Sequence, residues 1–164
     1  GNHLNSLPSI ISEETFPDLS IPIQFPQLAG SDRIYHLQNL SDNLMCYDLK
    51  NHNTSLINFP VKFKSCPPCV RQGNMMYFSG GRVNERSVSS LYSFNTLNDE
   101  IITLEDMPEP REDHGFVVAP DNSLYIFGGY VSTGAILRSC YQYKIDTDQW
   151  YQIDDLPYEV FGNG

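Results

Sequence analysis

The feature that most constrains this chain is a passage that occurs twice. Met76-Tyr77-Phe78-Ser79-Gly80-Gly81 returns as Tyr125-Ile126-Phe127-Gly128-Gly129, and the parts that follow return in the same order. After the first Gly-Gly come a polar loop from Arg82 to Ser90, the piece Leu91-Tyr92-Ser93-Phe94, a turn at 97–100, Ile101 to Leu104, and Met107-Pro108. After the second come a polar loop to Gly134, Cys140-Tyr141-Gln142-Tyr143, a turn at 146–149, Trp150 to Ile153, and Leu156-Pro157. A worn copy lies upstream, with Arg33-Ile34-Tyr35-His36-Leu37, Gln38-Asn39 in place of the glycines, Tyr47, and Phe59-Pro60. Tyr47, Phe94 and Tyr143 stand 47 and 49 residues apart, and each is followed seven residues later by Thr54, Ile101 or Trp150. A unit of this size cannot bury its own apolar faces, so units must stack, and function is left to the loops that stacking presents.

Each unit reads as four short antiparallel strands. The Gly-Gly strand is a brief continuous apolar run between turn residues, the pattern of a strand covered on both faces. The next strand alternates, with Leu137, Ser139, Tyr141, Tyr143 and Ile145 on one side and Arg138, Cys140, Gln142 and Lys144 on the other. A preceding strand, Gly115 to Ala119, enters through the turn Pro120-Asp121-Asn122, and Cys69-Val70 enters likewise through Arg71-Gln72-Gly73-Asn74. Ile101 to Leu104 and Trp150 to Ile153 complete the units as outer strands.

Gly-Gly after an apolar strand, then Tyr, then Trp, then Leu-Pro or Met-Pro, resembles the kelch repeat. The third unit carries all four parts in Gly128-Gly129, Tyr143, Trp150 and Leu156-Pro157, whereas Ile101 replaces the tryptophan in the second and the first keeps only Tyr47 and Phe59-Pro60. The resemblance covers residues 33–164. It implies an all-β, kelch-type β-propeller, here partial, with three four-stranded antiparallel blades. The motif residues read as structure and not chemistry: glycines allow close backbone approach, and Tyr143 and Trp150 are large plates between blades whose polar tips can reach hydrogen-bond partners.

Length and termini set the organisation expected. A six-bladed ring at this repeat length needs roughly 290 residues, and the chain has 164. Tyr158 to Phe161 would open a further blade, so the blades at 33–164 end inside a repeat and a fragment of a larger ring is expected. Residues 1–32 hold Pro8, Pro17, Pro22 and Pro26 among short apolar pieces and read as a Pro-rich linker or approach segment. Ile21, Ile23 and Phe25 alternate and suit an edge strand added to a blade; an extended tail lying on another protein is the competing reading.

Charge narrows the partner. Residues 1–96 hold seven acids and seven bases, while 97–164 hold thirteen acids against Arg111, Arg138 and Lys144. That imbalance argues against nucleic acid and against anionic membranes, whose phosphates it would repel. A solvated rim is one reading of the acids and a basic partner is the other. No apolar run reaches the length of a membrane span, so no membrane insertion is expected.

Four cysteines are few for a disulfide framework, and Cys46 and Cys140 fall at strand positions suited to small buried residues, which points to a reducing, intracellular and cytoplasmic setting. Cys66-Pro67-Pro68-Cys69 has the spacing of half a zinc site or of a redox pair, with His36, His52 and Cys46 as further candidate ligands, but lacks the context of either, so no metal or other cofactor is expected. In kelch proteins that bind peptides, the loop before the innermost strand and the loop after Gly-Gly line the binding face. By position Arg82, Asn84, Glu85, Arg86 and Arg111 are then exposed, His114 stands near the channel mouth, and Tyr130, Ser132 and Thr133 join from the next blade. The leading function is a protein-interaction or scaffold module without catalysis or small-molecule substrate, its partner a protein, within a large complex and with cytoskeletal association among the family's roles. A purely structural subunit of a large assembly and a kelch-type metal-dependent enzyme are the alternatives.

Overall fold

A computed structural model of the chain describes residues 32–159. The suggested edge strand at Ile21–Phe25 lies outside the described residues, and so do the last two residues of the further blade's opening at Tyr158–Phe161. Within them every regular element is a strand. Arg33–Leu37 (β1), Ser41–Asp48 (β2) and Asn53–Phe63 (β3) form a three-stranded sheet in the order β1-β2-β3. Cys69–Gln72 (β4), Met75–Ser79 (β5), Leu91–Asn95 (β8) and Glu100–Thr103 (β9) form a four-stranded sheet, and a small hairpin, Arg82–Val83 (β6) with Arg86–Ser87 (β7), rises from the loop between β5 and β8. Gly115–Ala119 (β10), Ser123–Phe127 (β11), Cys140–Lys144 (β12) and Gln149–Ile153 (β13) form the third sheet. All pairings are antiparallel between sequence neighbours within each sheet. This is an all-β, partial kelch-type propeller.

The seven-residue spacing is a ladder register. Tyr47 pairs with Thr54, Phe94 with Ile101 and Tyr143 with Trp150. Each pair is closed by a turn whose fifth residue after the aromatic is left-handed: His52 (φ 56°), Asp99 (φ 58°) and Asp148 (φ 52°). Three unlike sequences thus make one turn, and Asp, a short polar residue, tolerates that region better than most.

Blades meet face to face. Tyr35, Leu37, Leu44, Phe59 and Phe63 of the first blade pack with Met76, Phe78, Tyr92 and Phe94 of the second. Val70, Tyr77, Leu91 and Met107 of the second pack with Phe116, Leu124, Ile126 and Tyr143 of the third. Strand alternation explains both seams: Met76 and Phe78 point one way from β5, Tyr77 the other. Gly80 and Gly129 mark the tightest approach. A Cβ on Gly80 would stand 2.3 Å from the Arg111 carbonyl oxygen, and one on Gly129 2.5 Å from that of Glu112. Both adopt positive φ, 67° and 86°, so any side chain there meets steric conflict and backbone strain together.

The first blade shows three strands among the described residues, and two expectations are corrected. Its outer strand does not end at Phe59-Pro60 but runs on to Phe63; β3 is an edge strand, where proline forfeits no ladder bond to a further neighbour. The loop after Gly80-Gly81 is partly a hairpin, β6–β7.

Candidate interaction face

Arg82, Asn84, Glu85 and Arg86 lie in the β6–β7 hairpin, with Asn84 at φ 54° in its two-residue turn. One side of this hairpin is tied to the chain leaving β3: Ser65 bridges Arg82, the Lys64 N–H donates to the Arg82 carbonyl at 2.7 Å, and Lys64 ion-pairs with Glu85. The other side is tied to the third blade. The Ser132 N–H donates to Ser87 Oγ at 2.7 Å and the Ser87 N–H to Ser132 Oγ at 3.1 Å. Loops from all three blades therefore form one connected surface.

Beneath it sits Glu112, 2 % exposed. Its carboxylate accepts from Arg82 Nε at 2.9 Å and from the Ser87 hydroxyl at 2.6 Å, while its backbone exchanges two hydrogen bonds with Tyr130, at 2.9 and 3.0 Å. Burial alone would raise the Glu112 carboxyl; hydrogen bonds from Arg82, Ser87 and Tyr130 outweigh it and hold the group below its ordinary value. A buried carboxylate so satisfied is a hub that fixes hairpin and loop against each other.

Arg111 and His114 are not on this face. Arg111, expected to be exposed, is fully buried. Its Nη1 donates to the carbonyls of Gly128 (2.8 Å) and Ser139 (2.9 Å), its Nη2 to Ser139 Oγ (2.9 Å), and its guanidinium lies 5.2 Å from the Tyr141 ring centroid. It is a strut from the second blade's connector into the third blade's glycine bend. The planar, multiply donating head of arginine suits such a place, because stacking and several acceptors share the cost of burial. His114 is also fully buried, with Nε2 2.8 Å from Ser79 Oγ. Burial, then the nearby Arg111 charge, lowers its pKa to about 3, so the ring is neutral at ordinary pH.

Of the remaining candidates, Asn84, Glu85, Arg86, Ser132 and Thr133 are exposed, and Arg82 and Tyr130 are partly buried. Lys64, Ser87 and Glu112, which hold the face in place, and Ser139, which holds Arg111, escaped the sequence reading. Ser87 and Ser132 lie 45 residues apart, and no local pattern joins them.

Cys66-Pro67-Pro68-Cys69 occupies in the second blade the place of Asp113-His114-Gly115-Phe116 in the third, since Val70 faces Tyr77 as Val117 faces Tyr125. All four cysteines are free thiols. Burial pushes the Cys66 thiol up to about 11 and Cys69 to about 12, away from reactive thiolate. Cys46 and Cys140 are buried as their strand positions suggested. Among the described residues, no group of three or more His, Cys, Asp or Glu is arranged to hold a metal ion, and no helix is long and apolar enough to cross a membrane.

Residues 115–157 match the kelch motif. Kelch domain-containing protein 1 of Mus musculus is 27 % identical over 103 residues, covering 60 % of this chain and 25 % of that protein. An N-(sulfonatooxy)prop-2-enimidothioate sulfolyase of Thlaspi arvense is 26 % identical over 141 residues, covering 77 % of this chain and 39 % of the enzyme. A copper-bound fungal alcohol oxidase of the AA5 family shares the fold at TM-score 0.67 and 14 % identity, over 78 % of this chain and 30 % of that one. The chain thus spans well under half of these proteins. The repeat register, the glycine bends and the motif match at residues 115–157 agree in marking these blades as kelch repeats.

Proposed function

We propose that the chain presents the β6–β7 hairpin and the 130–136 loop to a protein partner, as the recognition part of a larger intracellular assembly, and carries out no catalysis. The observation that carries this is the reciprocal Ser87–Ser132 pair above the buried Glu112 hub, which makes loops of separate blades one preorganised surface. A face ordered before binding loses less conformational entropy on docking. Asn84, Glu85, Arg86, Ser132 and Thr133 supply its exposed polar groups. Residues 1–32 act in this reading as the approach segment to the blades.

The similarity to a sulfolyase gives an enzymatic reading some weight. Against it, the hydrogen-bonded Ser79 and His114, which resemble a nucleophile–base pair in composition, are both fully buried under Gly80 and Gly129 and closed to substrate. The test is affinity capture with the chain as bait, comparing wild type with a Glu85→Lys/Arg86→Glu double variant. Loss of a specific, stoichiometric partner on this charge reversal is the expected result; the same partner captured equally by both baits would contradict the assignment of the face.

A further inference from the structure

A groove of about 710 Å³ runs along the outer rim, where the connector after β9 meets the β12–β13 turn, away from the loop face. It is lined by Glu105, Asp106, Pro108, Asp148, Trp150 and Tyr151 among others, with no lysine, arginine or histidine in the lining itself, although Lys144 approaches the Tyr151 ring. We propose that this groove takes an extended, basic segment of a partner protein. The inference is independent of the loop-face reading.

Carboxylates alone would make only a solvated rim. Here they stand around aromatic walls on a fixed frame. The Glu105 N–H donates to Asp148 Oδ1 and its carbonyl accepts from Trp150 Nε1, both at 2.9 Å, so the connector is pinned to the third blade while the Glu105 carboxylate takes part in neither bond. Trp150 packs on Tyr143 at 4.9 Å between ring centroids, which holds the indole in place. The Tyr151 ring already attracts one cation, with Lys144 Nζ 5.0 Å from its centroid.

The occupant follows from charge and shape. Acids beside Trp and Tyr favour lysine or arginine, whose heads meet carboxylates while their stems and charge lie against rings. The acids are not grouped to hold a metal ion, so their charge is matched by side chains spread along a chain. Nucleic acid and anionic lipid would be repelled. Among the described residues β13, which supplies Gln149, Trp150 and Tyr151 to the lining, is the last strand of its sheet; an extended segment can add to such an edge through its backbone.

Trp150 is the only tryptophan in the chain, so its emission reports the groove directly. The probe is a ten-residue peptide alternating Lys and Val, with a Glu-Val peptide as counterpart, titrated against the full chain. A saturable change in Trp150 emission with the Lys peptide alone is expected, weakening as salt rises. Glu105→Gln/Asp106→Asn should reduce affinity roughly three- to tenfold, while Asp42→Asn/Glu85→Gln, an equal charge change elsewhere, should leave it unaltered. Absence of saturation, an equal response to the Glu peptide, or an equal loss in the second double variant would overturn the proposal. The Glu85→Lys/Arg86→Glu variant should bind the Lys peptide as wild type does, which separates failure here from failure of the loop-face reading.

Discussion

The two seams of this molecule are built from the same repeat and held in different ways. Between the first and second blades the centre is aromatic: Phe59 lies 5.4 Å from Phe78, 5.1 Å from Tyr92 and 5.7 Å from Phe63, and Tyr35 meets Phe94 at 5.1 Å. Its buried charge, Arg71, donates to the Gly73 carbonyl in its own turn. Between the second and third blades a more aliphatic centre, with Val70, Leu91, Leu124 and Ile126, is overlaid by Arg111, Glu112, His114 and Ser79, all buried. Apolar packing is non-directional and tolerates small slips, whereas directional hydrogen bonds such as those of Arg111 and Glu112 restrict the geometry. The network lies under the part of the loop surface where the hairpin meets the third blade. One seam supplies cohesion, and the other adds position.

Removing the aromatic hub breaks this comparison most forcefully. Phe59→Ala should lower the unfolding free energy by about 3–5 kcal/mol, with the loss nearly independent of pH from neutral to mildly acidic because the contacts removed are ring-on-ring packing. Chemical denaturation at neutral and mildly acidic pH measures it. A cost below about 1 kcal/mol would mean that the first blade does not dock as described.

Much of this architecture was open to a reader of the sequence. The Tyr-to-Trp spacing survives as a cross-strand pair because a hairpin register is local, set by one turn in which His52, Asp99 and Asp148 are interchangeable. The Gly-Gly bends are equally legible, since only glycine meets both the positive φ and the approach of Arg111 or Glu112 backbone. What failed was placement that depends on partners far along the chain. A sequence charge reads as solvent-exposed, and nothing near Arg111 announces that Gly128, Ser139 and Tyr141 will surround it. The β6–β7 hairpin escaped because its strands are only two residues long and its ties, to Lys64 and Ser132, lie outside its own segment.

A smaller effect sharpens the contrast. His114 titrates at about 3 in the folded chain against roughly 6.5 unfolded, so between those values the unfolded state binds the extra proton. Its contribution to stability is complete above pH 6.5 and declines as pH falls toward 3. Glu112, held low as well, adds a decline in the same direction only below its unfolded value of about 4.3. From pH 7 to pH 5 the His114 contribution should fall by about 1–2 kcal/mol, and His114→Gln should flatten the profile over that interval while leaving the first seam untouched. Urea denaturation followed by Trp150 emission at pH 7, 6 and 5 measures it. A wild-type profile that is flat over the interval, or one unchanged by His114→Gln, would remove the polar seam from the account.

The central claim is that consecutive blades stand side by side and join their upper loops. It is tested most directly by replacing Ser87 and Ser132, which exchange two hydrogen bonds across 45 residues of sequence, with cysteine in one chain. Under mild oxidation, peptide mapping should find an intramolecular 87–132 disulfide in most molecules, formed ahead of any bridge to Cys46, Cys66, Cys69 or Cys140. Absence of that bridge in a folded chain, or its formation only between molecules, would contradict the claim.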